Sequence, residues 1–180
     1  MSAESHPFSL SSAPDMPLRF LVKELGDYTN KIGSVNKGDS AFVEGPFGAF
    51  NFKTFANKKQ VWIAGGVGIA PFLSMLRSLS SKDMEYSVDF YFSVKDKNSL
   101  VFKEEIEFIA QRNRNLNVVF WISDEDGFIN ANYIKEKTSD IKERDILICG
   151  PVPMMSVLKK QFLSLGVDKK SIHIEEFQLY

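Results

Sequence analysis

A glycine-rich segment follows the most apolar stretch of the chain and is the first candidate for chemistry. The apolar residues 61–64 lead directly into Gly65-Gly66-Val67-Gly68-Ile69-Ala70-Pro71. Glycine lets a backbone approach a pyrophosphate with no Cβ in the way, and a helix that begins near Pro71 would direct unpaired N–H groups at the anion. The segment therefore predicts a dinucleotide phosphate site. The alternative is a tight turn between a strand and a helix that binds no ligand.

A second glycine turn, Cys149-Gly150-Pro151, follows the apolar run 146–148. Ligands of an open parallel sheet bind at the carboxyl ends of the strands, so the two glycine turns should converge on one crevice. Cys149 has two interpretations at this point. It is either a residue of that crevice or a small buried apolar side chain.

The composition argues against several other kinds of site. Cys149 is the only cysteine and the chain has two histidines, which argues against disulfides, iron–sulfur clusters and metal sites. The net charge of -1 gives no surplus of positive charge for nucleic acid, so none is expected as a partner. The longest uncharged apolar run, 61–76, contains three glycines and a proline. It is shorter than the roughly 20 residues of a membrane span, so no transmembrane segment is expected.

The elements that must position these turns follow from the alternation of short β-rich runs with longer amphipathic segments. This pattern predicts an α/β fold, a five-stranded parallel sheet flanked by helices. The predicted strands are Gln60 to Ala64, Tyr86 to Ser93, Asn117 to Ile122, Asp145 to Cys149 and Ser171 to Phe177. The predicted helices are Pro71 to Leu79, Leu100 to Gln111, Asn130 to Lys137 and Pro153 to Leu165. Glu105, in the second helix, is expected on its solvent side.

Residues before this region have a different pattern. Leu18 to Leu25 and Ser40 to Glu44 are strand-like, and closely spaced glycines punctuate them, which is typical of antiparallel β-structure. Asn57-Lys58-Lys59 is the best candidate for a linker. We therefore expect a partial antiparallel β-barrel at 1–57 and a nucleotide-binding domain at 58–180.

Three of these segments together resemble a known family. Gly66 to Pro71, Cys149 to Pro151 and Glu175-Glu176-Phe177 are similar to the nicotinamide-binding half of the ferredoxin-NADP reductase superfamily. The segment His6-Pro7-Phe8-Ser9-Leu10-Ser11-Ser12-Ala13-Pro14 resembles the flavin motif of the ferric reductase and NADPH oxidase branch. The resemblance covers nearly the whole chain.

The resemblance implies an FAD site in the first part of the chain. Phe8 would lie on the flavin ring, Ser9 would hydrogen-bond near its reactive nitrogen, and His6 would contact the flavin phosphate. Gly26-Asp27-Tyr28-Thr29 is similar to the turn that holds the flavin pyrophosphate. A purely structural alternative exists for each, since buried aromatic rings pack in most cores and Thr29 could be a helix cap.

The resemblance also assigns the residues at the place of reaction. Ser9, Cys149 and Phe177 are the expected catalytic residues, with Cys149 beside the nicotinamide and Phe177 over the flavin until the nicotinamide displaces it. Glu175 and Glu176 are expected to be solvated, because hydride transfer between two bound cofactors needs no general base.

Selectivity between NADH and NADPH depends on charge near the ribose 2′-position. Relatives that prefer NADPH commonly place Ser-Arg after the third strand, where this chain has Ser123-Asp124, followed by two further carboxylates. Carboxylates repel a phosphate and accept hydrogen bonds from ribose hydroxyls, which favours NADH. Ser93 and Lys95, at the end of the second strand, are the competing feature, because the lysine could reach a 2′-phosphate.

The resemblance thus predicts an enzyme that transfers hydride from NAD(P)H to FAD. Electrons would then pass to the haem-bearing membrane domain of a longer parent chain, at the cytoplasmic face of the membrane. A complete reductase has further barrel strands before the flavin motif, so we expect this chain to be a piece with weak flavin affinity. Two other functions remain open, a soluble flavin reductase and a non-catalytic dinucleotide-binding regulatory module.

Overall fold

The computed structural model describes residues 5–79 and 85–176. A five-stranded parallel sheet forms its centre, with the strand order β3-β2-β1-β4-β5. The strands are β1 (Lys59–Gly65), β2 (Ser87–Val94), β3 (Leu116–Ile122), β4 (Asp145–Cys149) and β5 (Ile172–Glu175). The predicted α/β fold is confirmed, and the predicted strand boundaries agree with these within a few residues.

Six helices accompany the sheet in the described part of the chain. They are α1 (Asp27–Ile32), α2 (Ile69–Ser78), α3 (Lys103–Arg112), α4 (Ser123–Asp126), α5 (Ala131–Lys137) and α6 (Val152–Ser164). The four helices predicted from the sequence correspond to α2, α3, α5 and α6. The short helix α4 was not predicted, and α1 was indicated only by the alternative that Thr29 is a helix cap.

The sheet is buried on both faces, and the alternation of side chains along β1 shows how. Trp62 and Ala64 point into the cluster that α2 and α3 cover, which includes Phe72 and Ile106. Val61 and Ile63 point into the opposite cluster, under α5 and α6. Because both faces need apolar side chains, the strands are continuous apolar runs, and that made them visible in the sequence.

The segments expected to form barrel strands carry no regular strand in the described structure. Within residues 5–58 the structure describes no regular strand, and only an antiparallel bridge between Leu10 and Phe20 remains of the expected pairing. A strand needs a hydrogen-bonding neighbour along its edge. The predicted strands Leu18 to Leu25 and Ser40 to Glu44 have no such neighbour among the described residues, and Phe42 is fully exposed.

The segment predicted as a linker is fastened to the sheet. The backbone N–H of Asn57 donates to the Asp145 carboxylate at 3.1 Å, and the Lys59 ammonium pairs with Asp140 at 2.9 Å. The ring of Phe55 stacks on His173 of β5, with ring centroids 3.7 Å apart. The first part of the chain therefore meets the sheet along a fixed contact.

A charged network on the α5 side gives a prediction about pH. The Lys59 ammonium and the Arg144 guanidinium both hydrogen-bond the Asp140 carboxylate, and they lower its pKa from 3.8 to about 2. A carboxylate whose pKa falls on folding stabilises the fold above its ordinary pKa and loses that effect as the pH drops. We expect Asp140→Asn to lower the free energy of unfolding by about 1 kcal/mol at pH 7, since the pair is partly solvated.

This difference between variant and wild type should shrink as the pH falls from 4 towards 2, and urea unfolding across that range measures it. A difference that stays constant with pH would contradict the assignment.

Among residues 5–79 and 85–176, no helix has both the length and the apolar character needed to cross a membrane.

Candidate functional site

The candidate site lies at the carboxyl edge of the sheet, where the strand order reverses. Strand β1 pairs with β2 on one side and with β4 on the other, which is the position where open α/β sheets bind their ligands. The register places Gly65 beside Ser93, Ala64 beside Cys149, and Cys149 beside Glu175. The last residues of four strands therefore line one edge.

The two predicted glycine turns meet there in direct backbone contact. A Cβ on Gly68 would lie 2.4 Å from the Cys149 carbonyl oxygen and 2.6 Å from the Gly150 nitrogen. A Cβ on Gly150 would lie 2.6 Å from Met154 and 3.0 Å from the Gly65 backbone. Glycine at these positions is required by the packing of one turn on the other. Ligand approach or a tight turn was the reason expected for the first glycine segment, and the contact between the turns was not predicted as the reason for glycine.

Among the glycines of these two turns, Gly66 is the one that faces open space. Its φ of +52° lies in the left-handed region, and a Cβ there would have no atom within 4 Å. Val67 beside it is partly exposed, whereas Ile69, Ala70 and Pro71 are buried in the first turn of α2. These three residues, which we predicted to bind cofactor, therefore present at most their backbone to a ligand. The open turn at the start of a ten-residue helix fits a dinucleotide pyrophosphate.

The predicted selectivity residues form a second group on the same edge. The Asp124 backbone N–H donates to the Lys95 carbonyl at 3.0 Å, which joins the ends of β2 and β3. Asp124 and Lys95 are both exposed, and Ser123 begins the short helix α4. Glu125 pairs with Lys97 at 2.8 Å. Positive and negative groups therefore face the same solvent region, and the choice of nucleotide stays a prediction.

The predicted flavin residues lie together in the first part of the chain. The His6 ring stacks on Tyr28, with centroids 3.6 Å apart and planes inclined by 21°. Phe8 lies 6.5 Å from Tyr28 and 6.4 Å from Phe20, and Ser9 is half-buried. The resemblance assigned His6 and Tyr28 to one cofactor from two distant segments, and the structure brings these rings into contact.

Thr29 has a structural partner for its hydroxyl. Thr29 Oγ1 accepts hydrogen bonds from the backbone N–H groups of Leu25 and Gly26 and donates to the Gly26 carbonyl, at 2.9 to 3.1 Å. It thus caps α1, the alternative raised from the sequence. Gly26 and Asp27 are exposed at the same helix start. Contact of this turn with a pyrophosphate stays a prediction.

Comparison with known proteins identifies the chain at the level of its family. Residues 62–160 match the family model of the oxidoreductase NAD-binding domain. The chain belongs to this family. The matched range contains both glycine turns and the selectivity segment, so the NAD-binding domain includes the whole carboxyl edge from β3 to β4.

Individual relatives agree with this assignment. Flavohemoprotein B of Dictyostelium discoideum is 33% identical over 94% of this chain and 44% of its own length. NADH-cytochrome b5 reductase 1 of Kluyveromyces lactis is 27% identical over 91% of this chain and 62% of its own length. The chain thus spans about half the length of the curated relatives it matches. The prediction of a ferredoxin-NADP reductase-like oxidoreductase domain is confirmed.

A solved structure shows the same architecture beyond the NAD-binding domain. The flavohem-like FAD/NAD-binding domain of nitric oxide dioxygenase from Vibrio cholerae superposes with a TM-score of 0.80 at 27% identity. It matches 93% of this chain and 75% of that one. The match therefore includes most of the first 57 residues, where the flavin motif lies.

Cys149, at the carboxyl end of the NAD-binding sheet, is fully buried. Burial raises the pKa of its thiol far above the ordinary range, with a smaller contribution from the charge of Glu175. Its side chain belongs to the core cluster on the α2 side of the sheet, so Cys149 is the small buried residue of the second interpretation, neutral and not a nucleophile. Glu175 is half-buried, and burial raises its pKa as well. Glu175 is thus less solvated than expected, because β5 places it beside Cys149, whereas Glu176 is exposed as expected.

The remaining predicted site residues are exposed or lie outside the described part of the chain. Phe177, predicted to cover the flavin, lies outside the described residues. Pro7 and Pro151 are exposed, one in the flavin motif and one before α6. Arg77 and Ser74 of α2, which contact the backbone of the flavin motif at Ser11 and Ser12, were not among the predicted site residues. Their place on a helix that starts at the glycine turn was the available signal.

Proposed function

We propose that this chain is the part of a flavoprotein oxidoreductase in which NAD(P)H reduces FAD. The observation that carries the proposal is the backbone contact between the turns at Gly68 and Cys149-Gly150, which forms one crevice at the reversal point of the sheet. Bound there, the nicotinamide supplies a hydride and the flavin accepts it.

The residues of the chain bind and orient the two cofactors. The open turn at Gly66 and the first N–H groups of α2 hold the pyrophosphate of the nucleotide. The carboxyl ends of β4 and β5, at Cys149 and Glu175, form the wall beside the nicotinamide. His6, Phe8 and Tyr28 supply the aromatic surface for the flavin. Because the Cys149 thiol is neutral, it has no covalent role, and the residues named here act on the distance and orientation of the cofactors.

A haem group is the proposed destination of the electrons. The relative from Dictyostelium is named a flavohemoprotein, and the segment His6 to Pro14 resembles the motif of the ferric reductase and NADPH oxidase branch. We assign the haem to a membrane domain of the parent chain and the present domain to the cytoplasmic face. Expression of the longer chain tests both points. NADH should reduce membrane-bound haem, and haem found only in a soluble fraction would favour a flavohemoprotein.

The test of flavin reduction uses the 180-residue chain itself. The chain is mixed with excess FAD under anaerobic conditions, NADH or NADPH is added, and the visible flavin band is followed. We expect bleaching at a rate well above that of FAD and nucleotide without protein. Nucleotide binding without bleaching at saturating FAD would favour a regulatory module and would overturn the proposed function. Tight stoichiometric FAD in the purified chain would contradict the predicted weak flavin affinity.

The choice of nucleotide gives a second prediction. We expect the wild type to prefer NADH, because the exposed carboxylate of Asp124 repels a 2′-phosphate. Asp124→Arg should raise kcat/KM for NADPH by about tenfold, since hydrogen bonds to charged groups are worth roughly 1.5–3 kcal/mol.

Steady-state kinetics with both nucleotides measures this change. Glu136→Arg on α5 is the matched control, because it alters the net charge equally at an exposed position. A strong NADPH preference in the wild type would contradict the role of Asp124.

A further inference from the structure

Helix α2 contacts both halves of the candidate site. Its first residues follow the glycine turn at Gly68, and its last turns lie against the second half of the flavin motif, at Ser11 and Ser12. Ser11, Ser12 and Ala13 are buried there, although most residues around them are exposed. Two side chains of α2 hold this segment by its backbone.

Arg77 makes the stronger of the two contacts. Its guanidinium donates from Nη1 to the Ser11 carbonyl at 2.5 Å. The remaining nitrogens form a fork with the Glu105 carboxylate of α3, Nε and Nη2 each 2.7 Å from one oxygen. The Arg77 side chain is only 7% exposed. This bidentate pair fixes the guanidinium, so the direction of the third hydrogen bond is fixed as well.

Ser74 makes the second contact, one helical turn earlier. Its hydroxyl donates to the Ser12 carbonyl at 2.7 Å. The segment that Arg77 and Ser74 hold is also hydrogen-bonded to the backbone of Arg19. The Ser11 backbone N–H donates to the Arg19 carbonyl at 2.8 Å, and the Arg19 N–H donates to the Ser12 hydroxyl at 3.2 Å. The segment at Ser11 and Ser12, two residues after Ser9, is therefore hydrogen-bonded both to α2 and to Arg19.

We infer that Arg77, with Glu105 and Ser74, is a positioning residue that sets the flavin motif at a fixed place relative to the nucleotide turn. The helix is rigid over its ten residues, so a shift of the flavin motif against the nucleotide turn requires these hydrogen bonds to break. This inference rests on the proposed function, because it assigns His6 to Ser9 to the flavin and the turn at Gly68 to the nucleotide.

The charge state of the pair supports the inference. The hydrogen bond from Arg77 lowers the pKa of Glu105, so the carboxylate is ionised at neutral pH and holds the guanidinium. Glu105 is thus not merely on the solvent side of α3, as the helical pattern predicted. Phe102 lies beside the pair, with its ring centroid 5.5 Å from the guanidinium carbon of Arg77.

The test compares Arg77→Met and Ser74→Ala with Arg144→Met in the 180-residue chain. Arg144 is the matched control, since it is also a buried arginine with carboxylate partners, Asp89 and Asp140. Hydrogen exchange of the peptide covering residues 10–14 is measured without cofactors, and FAD and NADH affinities are measured by fluorescence. Exchange in this peptide reports on the hydrogen bonds from Arg77 and Ser74 to Ser11 and Ser12, which we call the clamp, whether or not the chain reduces flavin.

For Arg77→Met we expect about tenfold faster exchange in this peptide and about tenfold weaker FAD binding, with NADH affinity unchanged within twofold. Ser74→Ala should show the same pattern with smaller changes. If Arg77→Met does not fold, the result for Ser74→Ala decides whether α2 positions the flavin motif. Arg77→Lys should restore less than half of the lost FAD affinity, because an ammonium cannot form the fork. Equal changes in Arg77→Met and Arg144→Met, or unchanged exchange in both α2 variants, would overturn the inference. Failure of the wild type to bleach FAD would overturn the proposed function and leave the exchange result to decide the clamp.

Discussion

Replacing Gly68 by alanine is expected to lower the free energy of unfolding by about 2–3 kcal/mol and to reduce nucleotide affinity at least tenfold. The added methyl group would lie 2.4 Å from the carbonyl oxygen of Cys149 and 2.5 Å from its carbonyl carbon. These neighbours are backbone atoms, which cannot rotate away as a flexible side chain can. The two turns must therefore separate, and the carboxyl edge of the sheet that they form changes shape.

Gly33→Ala is the matched control for this experiment. Gly33 has φ −61° and ψ −13°, almost the same as the −62° and −2° of Gly68, but a Cβ there would contact nothing within 4 Å. Urea unfolding and titration with NADH, followed by fluorescence, measure both effects. If the two alanine variants have the same stability and the same NADH affinity, the contact between the turns has no importance for the site.

Replacing Gln60 by leucine is expected to destabilise the fold by about 3 kcal/mol or more. Gln60 is fully buried, and its amide oxygen accepts from the indole N–H of Trp62 at 2.8 Å. Its amide nitrogen donates to the carbonyls of Phe52 and Asn57, each at 2.9 Å. Leucine is similar in size but would leave these three partners without the amide. The first part of the chain would also lose a main attachment to β1.

The control for this variant is Gln111→Leu, the same substitution at an exposed position of α3. Surface changes of this kind usually alter stability by no more than about 0.5 kcal/mol. Chemical unfolding followed by tryptophan fluorescence measures the effect, because Trp62 lies in the affected region. A Gln60→Leu variant as stable as the Gln111→Leu variant would show that water replaces the lost hydrogen bonds at no cost.

The sheet and the edge that carries the site could be predicted because a two-sided parallel sheet has a strong sequence pattern. Buried residues such as Trp62 and Ile63 make continuous apolar runs, and strand order then fixes which turns meet. The convergence of the turns at Gly68 and Gly150 followed from this rule alone.

Other features depended on contacts between distant segments, which a single sequence does not encode locally. The pattern of residues 18–25 is that of a strand, but strand formation needs a partner, and the described chain provides only the bridge from Leu10 to Phe20. Glu105 lies on the polar side of its helix, yet Arg77 of another helix reaches it. Glu175 ends the short strand Ile172-His173-Ile174-Glu175, and its register beside Cys149 places it where it is half-buried.

The strand order has a consequence for how the protein folds during its synthesis on the ribosome. Strand β1 ends at Gly65, but its neighbour β4 starts only at Asp145. A nascent chain that has emerged as far as α5 contains the residues of β1, β2 and β3 and a single glycine turn. The opposing turn at Gly150 arrives after β4 has inserted beside β1. Binding competence is therefore acquired late in synthesis, and nucleotide present in the cell cannot stabilise the earlier folding intermediates.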